Sequence, residues 1–201
     1  MTCLFSRYID HKCQLLFGSL RFTCLHTPGH TKGCVTYLLH GSAHNSPDSI
    51  FTGDFIFASG VGRVFDSTIE EMLKSIDLIL KLKDDTLIWQ GHECTLDNIK
   101  FEYSLDRSNS ALVNRYIDFL HLKQDKVPLV PTTLKEEKIF NPFFRTGEPS
   151  LLKALDLLEN GSDDATVLEN STDLIKLRVI AFRILMCRRI GGHTPSKLTE
   201  Y

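Results

Sequence analysis

The sequence predicts a mixed α/β (α+β) chain in which strands come first and helices follow. Three observations carry that prediction. Short apolar runs closed by Gly-containing turns fill most of the first 92 residues, and a single strongly periodic helix interrupts them. After His92 strand-type alternation stops and helical periods take over. That change marks a predicted boundary, with residues 1–94 forming one unit, 95–158 a helical domain and 159–201 a divergent tail.

The alternating or β-branched content of Ser19 to Leu25 and of Cys34 to Leu39 predicts two strands around the Pro28-Gly29 turn. His40 to Asp48, rich in Gly, Ser, Asn and Pro, is a predicted surface loop, and Ser49 to Phe51 a short strand ending at Gly53. Ser67-Thr68-Ile69-Glu70 has the form of a capping box. Ile69, Met72, Leu73, Ile76, Ile79 and Leu80 then recur at helical spacing. Thr86 to Trp89 is a buried strand delivering His92 to its end. Two helices follow, Thr95 to Ser104 and Asn109 to Lys123, the second with Leu112, Tyr116, Phe119 and Leu120 on one face. A Pro-containing connection from Val127 to Thr132 leads into a second capping box, Thr133 to Glu136. Leu151 to Leu158 is helical, and Glu159 to Thr172 is polar and predicted to be mobile. The apolar run Leu174 to Met186 contains Lys176, Arg178 and Arg183, so it is too short and too charged to span a bilayer.

With 23 basic and 25 acidic residues among 201, the net charge is -2, and no basic stripe suggests a nucleic-acid partner. The length suits one domain or two small ones. Six cysteines, Cys3, Cys13, Cys24, Cys34, Cys94 and Cys187, form no C-x-x-C pair and no disulfide framework. Reduced thiols and an intracellular compartment, cytoplasm or mitochondrion, are therefore expected. The first residues carry neither a signal-peptide nor a transit-peptide pattern.

Three runs invite a chemical reading: Thr27-Pro28-Gly29-His30-Thr31, Thr52-Gly53-Asp54 and Gly91-His92-Glu93. Each places one metal-type side chain in a turn that closes an apolar stretch. Imidazole nitrogen and carboxylate oxygen suit a divalent ion, and strand-end loops gather ligands that lie far apart in sequence. No dense His-x-His-x-Asp-His run accompanies them, so His30, Asp54 and His92 read as half of a metal site. The histidines at 11, 26, 40, 44, 121 and 193 occupy no such context.

Together with Gly60-Val61-Gly62-Arg63, Pro131-Thr132-Thr133-Leu134-Lys135-Glu136-Glu137 and Asn141-Pro142-Phe143-Phe144-Arg145, these runs resemble the glyoxalase II (hydroxyacylglutathione hydrolase) branch of the metallo-β-lactamase superfamily, from about Gly18 to about Arg145. The resemblance implies the second half of a metallo-β-lactamase αββα sandwich followed by a helical substrate domain. It also implies that a whole protein carries a preceding stretch with the missing ligands, and that without it one sheet keeps an exposed apolar face.

The implied chemistry is hydrolysis of a glutathione thioester such as S-lactoylglutathione, in methylglyoxal detoxification, by a hydroxide shared between two divalent metal ions, zinc first and iron or manganese as alternatives. Carried over by position, His30 is the last ligand of the first metal, Asp54 the catalytic bridging carboxylate and His92 the last ligand of the second. Arg63 and Arg145 match basic contacts to glutathione, a guanidinium fork being suited to a carboxylate. Phe65 and Cys94 stand where the family has tyrosine hydroxyls, a loss of about 0.5 to 1.5 kcal/mol for each hydrogen bond. The competing expectation is a truncated, non-catalytic form that acts through protein contacts.

Overall fold

The computed structural model describes residues 9–105, 109–158, 171–189 and 191. Its main sheet has six strands in the order β1-β2-β3-β4-β7-β8. They are β1 (Gln14–Phe17), β2 (Leu20–His26), β3 (Val35–Leu39), β4 (Ser49–Gly53), β7 (Leu87–Gln90) and β8 (Thr132–Thr133). Only β4 and β7 run parallel; every other neighbouring pair is antiparallel. A small hairpin, β5 (Ile56–Phe57) with β6 (Gly60–Val61), sits beyond the end of β4. Six helices are described: α1 (Ile69–Ile79), α2 (Thr95–Leu105), α3 (Ser110–Gln124), α4 (Leu134–Phe140), α5 (Pro149–Ala154) and α6 (Ser171–Arg189).

The sheet register separates two faces by the period-2 rule. Leu25, Leu38, Ile50 and Ile88 point to one side and are buried. There they meet Met72, Leu73, Ile76 and Ile79 of α1, which fall at the predicted helical spacing. The opposite face carries Phe17, Leu20, Phe22, Tyr37, Phe51 and Trp89, aligned by the register Phe17↔Leu20, Tyr37↔Phe51 and Phe51↔Trp89. Phe17 is 62% exposed, Phe51 40% and Trp89 37%. An exposed apolar face of this kind is what the half-sandwich expectation describes.

Several predicted details differ. The cap of α1 is Thr68, whose hydroxyl accepts from the Glu71 N–H, and Ser67 instead donates to the Glu71 carboxylate. The chain enters the helix one residue later than the Ser-x-x-Glu spacing suggests, so that pattern is coincidental. The second capping box, Thr133 with Glu136, forms as predicted. Leu120 is 40% exposed, whereas Leu112 and Phe119 are buried; the stripe on α3 is narrower than predicted. The helix expected over Leu151 to Leu158 starts at Pro149 and ends at Ala154, with Asp156 at positive φ.

The apolar run Leu174 to Met186 lies within α6, whose Ala181, Phe182, Ile184 and Leu185 belong to the same core as Ile50 and Phe143. Phe143 and Phe182 meet edge to face at 5.0 Å. Arg178 forks onto Asp77 of α1 at 2.6 and 3.0 Å, which explains a charge inside an apolar run. This core crosses residue 94, while a smaller one, Leu96, Ile99, Leu112, Phe119, Leu129 and Phe140, joins α2, α3 and α4. The polar run from Glu159 lies outside the described residues as far as 170. Among the described residues no helix is long and apolar enough to cross a membrane, and no disulfide joins Cys13, Cys24, Cys34, Cys94 or Cys187.

Candidate metal centre

His30, Asp54 and His92 follow the ends of β2, β4 and β7. The turn before His30 is pressed onto α1: the Ser75 hydroxyl donates to the Pro28 carbonyl at 2.7 Å. A Cβ at Gly29 would lie 2.2 Å from the Met72 sulfur, so a larger residue there would have to displace that buried side chain. The Gly91 N–H donates to the Gly53 carbonyl at 2.9 Å, bringing the loops that carry Asp54 and His92 together.

Each carboxylate oxygen of Asp54 faces a different imidazole. His92 Nε2 lies 3.1 Å from Oδ1, and His30 Nε2 lies 3.7 Å from Oδ2. His30 Nδ1 is 2.8 Å from the Arg63 carbonyl oxygen. A carbonyl only accepts, so Nδ1 carries the proton of this hydrogen bond; in the neutral ring Nε2 then keeps its lone pair, directed toward Asp54. A backbone carbonyl of this kind is a common orienting partner for a ligating histidine. Among the described residues no group of three or more His, Cys, Asp or Glu side chains is gathered closely enough to hold a metal ion by itself. The arrangement is two pairs that share Asp54. Two imidazole nitrogens and a two-oxygen carboxylate nevertheless form a donor set suited to zinc or another divalent ion.

The three side chains open on a cleft of about 340 Å³, also lined by Phe57, Val61, Gly62, Arg63, Phe65, Met186 and Arg189. Phe65 lies edge-on to the His30 ring at 4.9 Å and is 69% exposed. Arg63 thus joins His30, Asp54, Phe65 and His92 at one cleft.

Cys94 and Arg145 do not line this cleft, although Cys94 is near enough to the cleft residue Arg189 to act on its charge. Cys94 lines a separate cavity of about 330 Å³ with Lys123, Lys126 and Leu129. Its Sγ is 3.3 Å from Asn98 Nδ2, and burial pushes the thiol above its ordinary range. Arg145 is buried, with Nε 2.7 Å from the Glu148 carboxylate and Nη2 3.1 Å from the Ser150 hydroxyl. A guanidinium held in that way braces the turn into α5.

Sequence reasoning missed Arg189 and Met186, which α6 delivers to the cleft. Arg189 Nη1 donates to the Val61 carbonyl at 2.5 Å. Burial, reinforced by Arg63, draws its guanidinium below the usual arginine range, against an opposing effect from Cys94. No motif marks it. The apolar run Leu174 to Met186, followed at once by Arg188-Arg189, was the available signal.

A family model described as the hydroxyacylglutathione hydrolase C-terminus matches residues 93–173. The hydroxyacylglutathione hydrolase of Aeromonas hydrophila is 35% identical over 84% of this chain and 65% of its own length. That of Crocosphaera subtropica is 41% identical over 62% of this chain and 48% of its own. A hydroxyacylglutathione hydrolase-like protein of Gallus gallus is 34% identical over 70% of this chain and 50% of its own. A crystal structure of a metallo-β-lactamase from Staphylococcus aureus aligns with a TM-score of 0.47 at 24% identity, over 87% of this chain and 43% of that one. The chain spans between about half and two thirds of the length of these curated relatives. By sequence, the chain is similar to hydroxyacylglutathione hydrolases, the glyoxalase II enzymes, over most of its length.

Proposed function

We propose that this chain supplies part of the metal site and the carrier-binding side of a hydrolase for glutathione thioesters of the S-lactoylglutathione type, working in methylglyoxal detoxification in an intracellular compartment. The observation that carries the reading is Asp54, whose two oxygens each face the Nε2 of a different strand-end histidine. In this reading His30, Asp54 and His92 would help to hold divalent ions, zinc first among them, with the Asp54 carboxylate shared between the two histidines. When bound, such ions lower the pKa of water toward about 7 and polarise a carbonyl.

The remaining work belongs to the chain's own residues. The Arg63 carbonyl holds His30 with its unprotonated nitrogen inward, while the Arg63 side chain offers the carrier's carboxylate a planar fork. Phe65 shields the His30 ring and offers the carrier an apolar wall. We assign the carrier contact in the cleft to Arg63 and Phe65, with Cys94 and Arg145 more distant because neither lines it. Residues 95–158 are read as the helical substrate domain, its Asn141 and Glu137 abutting the loop that carries Arg63.

Three ligands are too few for two ions, since each metal normally takes three or more protein contacts. The chain alone is therefore expected to bind metal weakly and to turn over S-lactoylglutathione poorly. A chimera in which the A. hydrophila protein supplies the remaining sequence is expected to restore turnover. In that chimera Asp54→Ala abolishes it, and Arg63→Ala chiefly raises KM by removing uniform carrier binding. Full turnover in the Asp54 variant would refute the reading.

A further inference from the structure

The turn between β5 and β6 is held almost wholly by side chains from other parts of the chain. The Ala58 N–H donates to Gln90 Oε1 at 2.5 Å, and the Ala58 carbonyl accepts from Asn98 Nδ2 at 2.9 Å. The Ser59 N–H donates to Glu137 Oε2 at 2.8 Å. The Gly60 carbonyl accepts from Asn141 Nδ2 at 3.0 Å, and Asn141 Nδ2 also lies 3.0 Å from Glu137 Oε2. Ser59 sits at φ 56, a left-handed conformation that a side-chain-bearing residue adopts only when its surroundings impose it. Glu137, Asn141, Asn98 and Ser59 are all buried, at 0 to 2% exposure.

Burying a carboxyl and two carboxamides is costly unless each is well partnered, and an apolar filling would serve packing alone. What this cluster provides is a fixed backbone. The path from it to the cleft is short. Phe57 pairs with Gly60 and Ile56 with Val61, and the Gly62 N–H donates to the Phe55 carbonyl at 3.1 Å. A Cβ on Gly62 would fall 1.9 Å from the Asp54 carbonyl oxygen and 3.1 Å from His30 Nδ1, so this segment lies directly against the site. The next residue, Arg63, gives His30 its carbonyl, and the Phe65 N–H donates to the His30 carbonyl at 3.0 Å.

We propose that Glu137 and Asn141 are positioning residues for the metal centre: by clamping the Phe57–Gly60 turn they set the Arg63 carbonyl that selects the tautomer of His30, with hydrogen bonds of their own to Ser59, Gly60 and each other. The functional meaning rests on the reading of His30 as a ligand, whereas the positioning itself does not depend on it.

The test uses the full chain without metal. Long-range ¹H–¹⁵N correlation spectra of the imidazoles report which ring nitrogen of His30 carries the proton. Wild type is expected to show the Nδ1–H tautomer. Glu137→Leu, which fills the space but cannot accept from the Ser59 N–H, and Asn141→Ala are expected to lose that preference while other histidines keep their shifts. Glu137→Gln retains an acceptor and is expected to keep it. Lys138→Ala, on the same helix but paired with Asp84, is the control and leaves His30 unchanged. If Asn141→Ala does not fold, the Glu137 pair decides. A folded Glu137→Leu protein with the wild-type His30 tautomer would overturn the proposal, as would failure of Glu137→Gln to retain it. Because no metal or turnover enters this readout, its failure is separable from failure of the thioesterase reading, which the chimera tests.

Discussion

Replacing Glu137 by glutamine is expected to change how stability depends on pH. Glu137 is fully buried, and that burial pushes its carboxyl from 4.5 up to about 7, against the opposing hydrogen bonds from Asn141 and the Ser59 N–H and with a further upward push from Glu136. A carboxyl raised in the folded state favours folding while it is protonated. The stabilisation is complete below about 4.5, where both states hold the proton, and is lost as pH rises through about 7. The difference between those values corresponds to about 3 kcal/mol. For a chain of this length that amounts to a melting-temperature change of roughly 10 °C. Glutamine cannot ionise, so the variant lacks this component. Urea denaturation of both proteins at pH 5, 6, 7 and 8 measures it, the difference between them cancelling the other titrations. From pH 5 to 8, a window that begins just above 4.5, the variant is expected to gain about 2 to 3 kcal/mol relative to wild type. A difference constant across that range would refute the reasoning.

Three further outcomes follow from the packing. Phe182→Ala removes a fully buried ring in contact with Phe143 and is expected to cost about 3 to 5 kcal/mol in a denaturant melt; a loss below about 1 kcal/mol would mean that α6 is not part of the core. A double-mutant cycle on Arg178 and Asp77 is expected to give no more than about 1 kcal/mol of coupling, falling with salt, because Asp77 is 40% exposed despite the forked geometry. The aromatic sheet face predicts self-association, so sedimentation of the chain is expected to be concentration-dependent and that of a Phe17→Ser, Phe51→Thr, Trp89→Thr variant much less so. Equal sedimentation of the two proteins would count against that surface.

Strands β2, β3, β4 and β7 and helix α1 were legible because each buries one face and so writes a period into the sequence. The β5–β6 hairpin was not. Its strands have two residues each, too few for any period, and its conformation is imposed by Gln90, Asn98, Glu137 and Asn141 from elsewhere. The reach of α6 was hidden for a related reason: charges inside an apolar run suggest an exposed helix, but Arg178 finds its partner on α1 and Arg189 finds the Val61 carbonyl, contacts that only the folded chain creates. His30, Asp54 and His92 announced themselves because metal-type side chains sat in turns that end strands. Arg145 carried the same kind of motif signal, yet its guanidinium is engaged by Glu148 and Ser150. A motif fixes the backbone neighbourhood of a side chain, whereas its partner depends on what packs nearby.

In the proposed reading Asp54 joins His30 and His92 into one metal-binding unit. Cobalt(II) titration of the full chain, followed by visible absorption, tests it most directly, because the intensity and position of the ligand-field bands report nitrogen and carboxylate ligation without requiring turnover. Wild type is expected to develop bands that saturate only at high cobalt concentration, as weak binding requires, and that are lost in Asp54→Asn and in His92→Ala and kept in His121→Ala. Wild-type bands that persist unchanged in Asp54→Asn, or are lost equally in His121→Ala, would contradict the account.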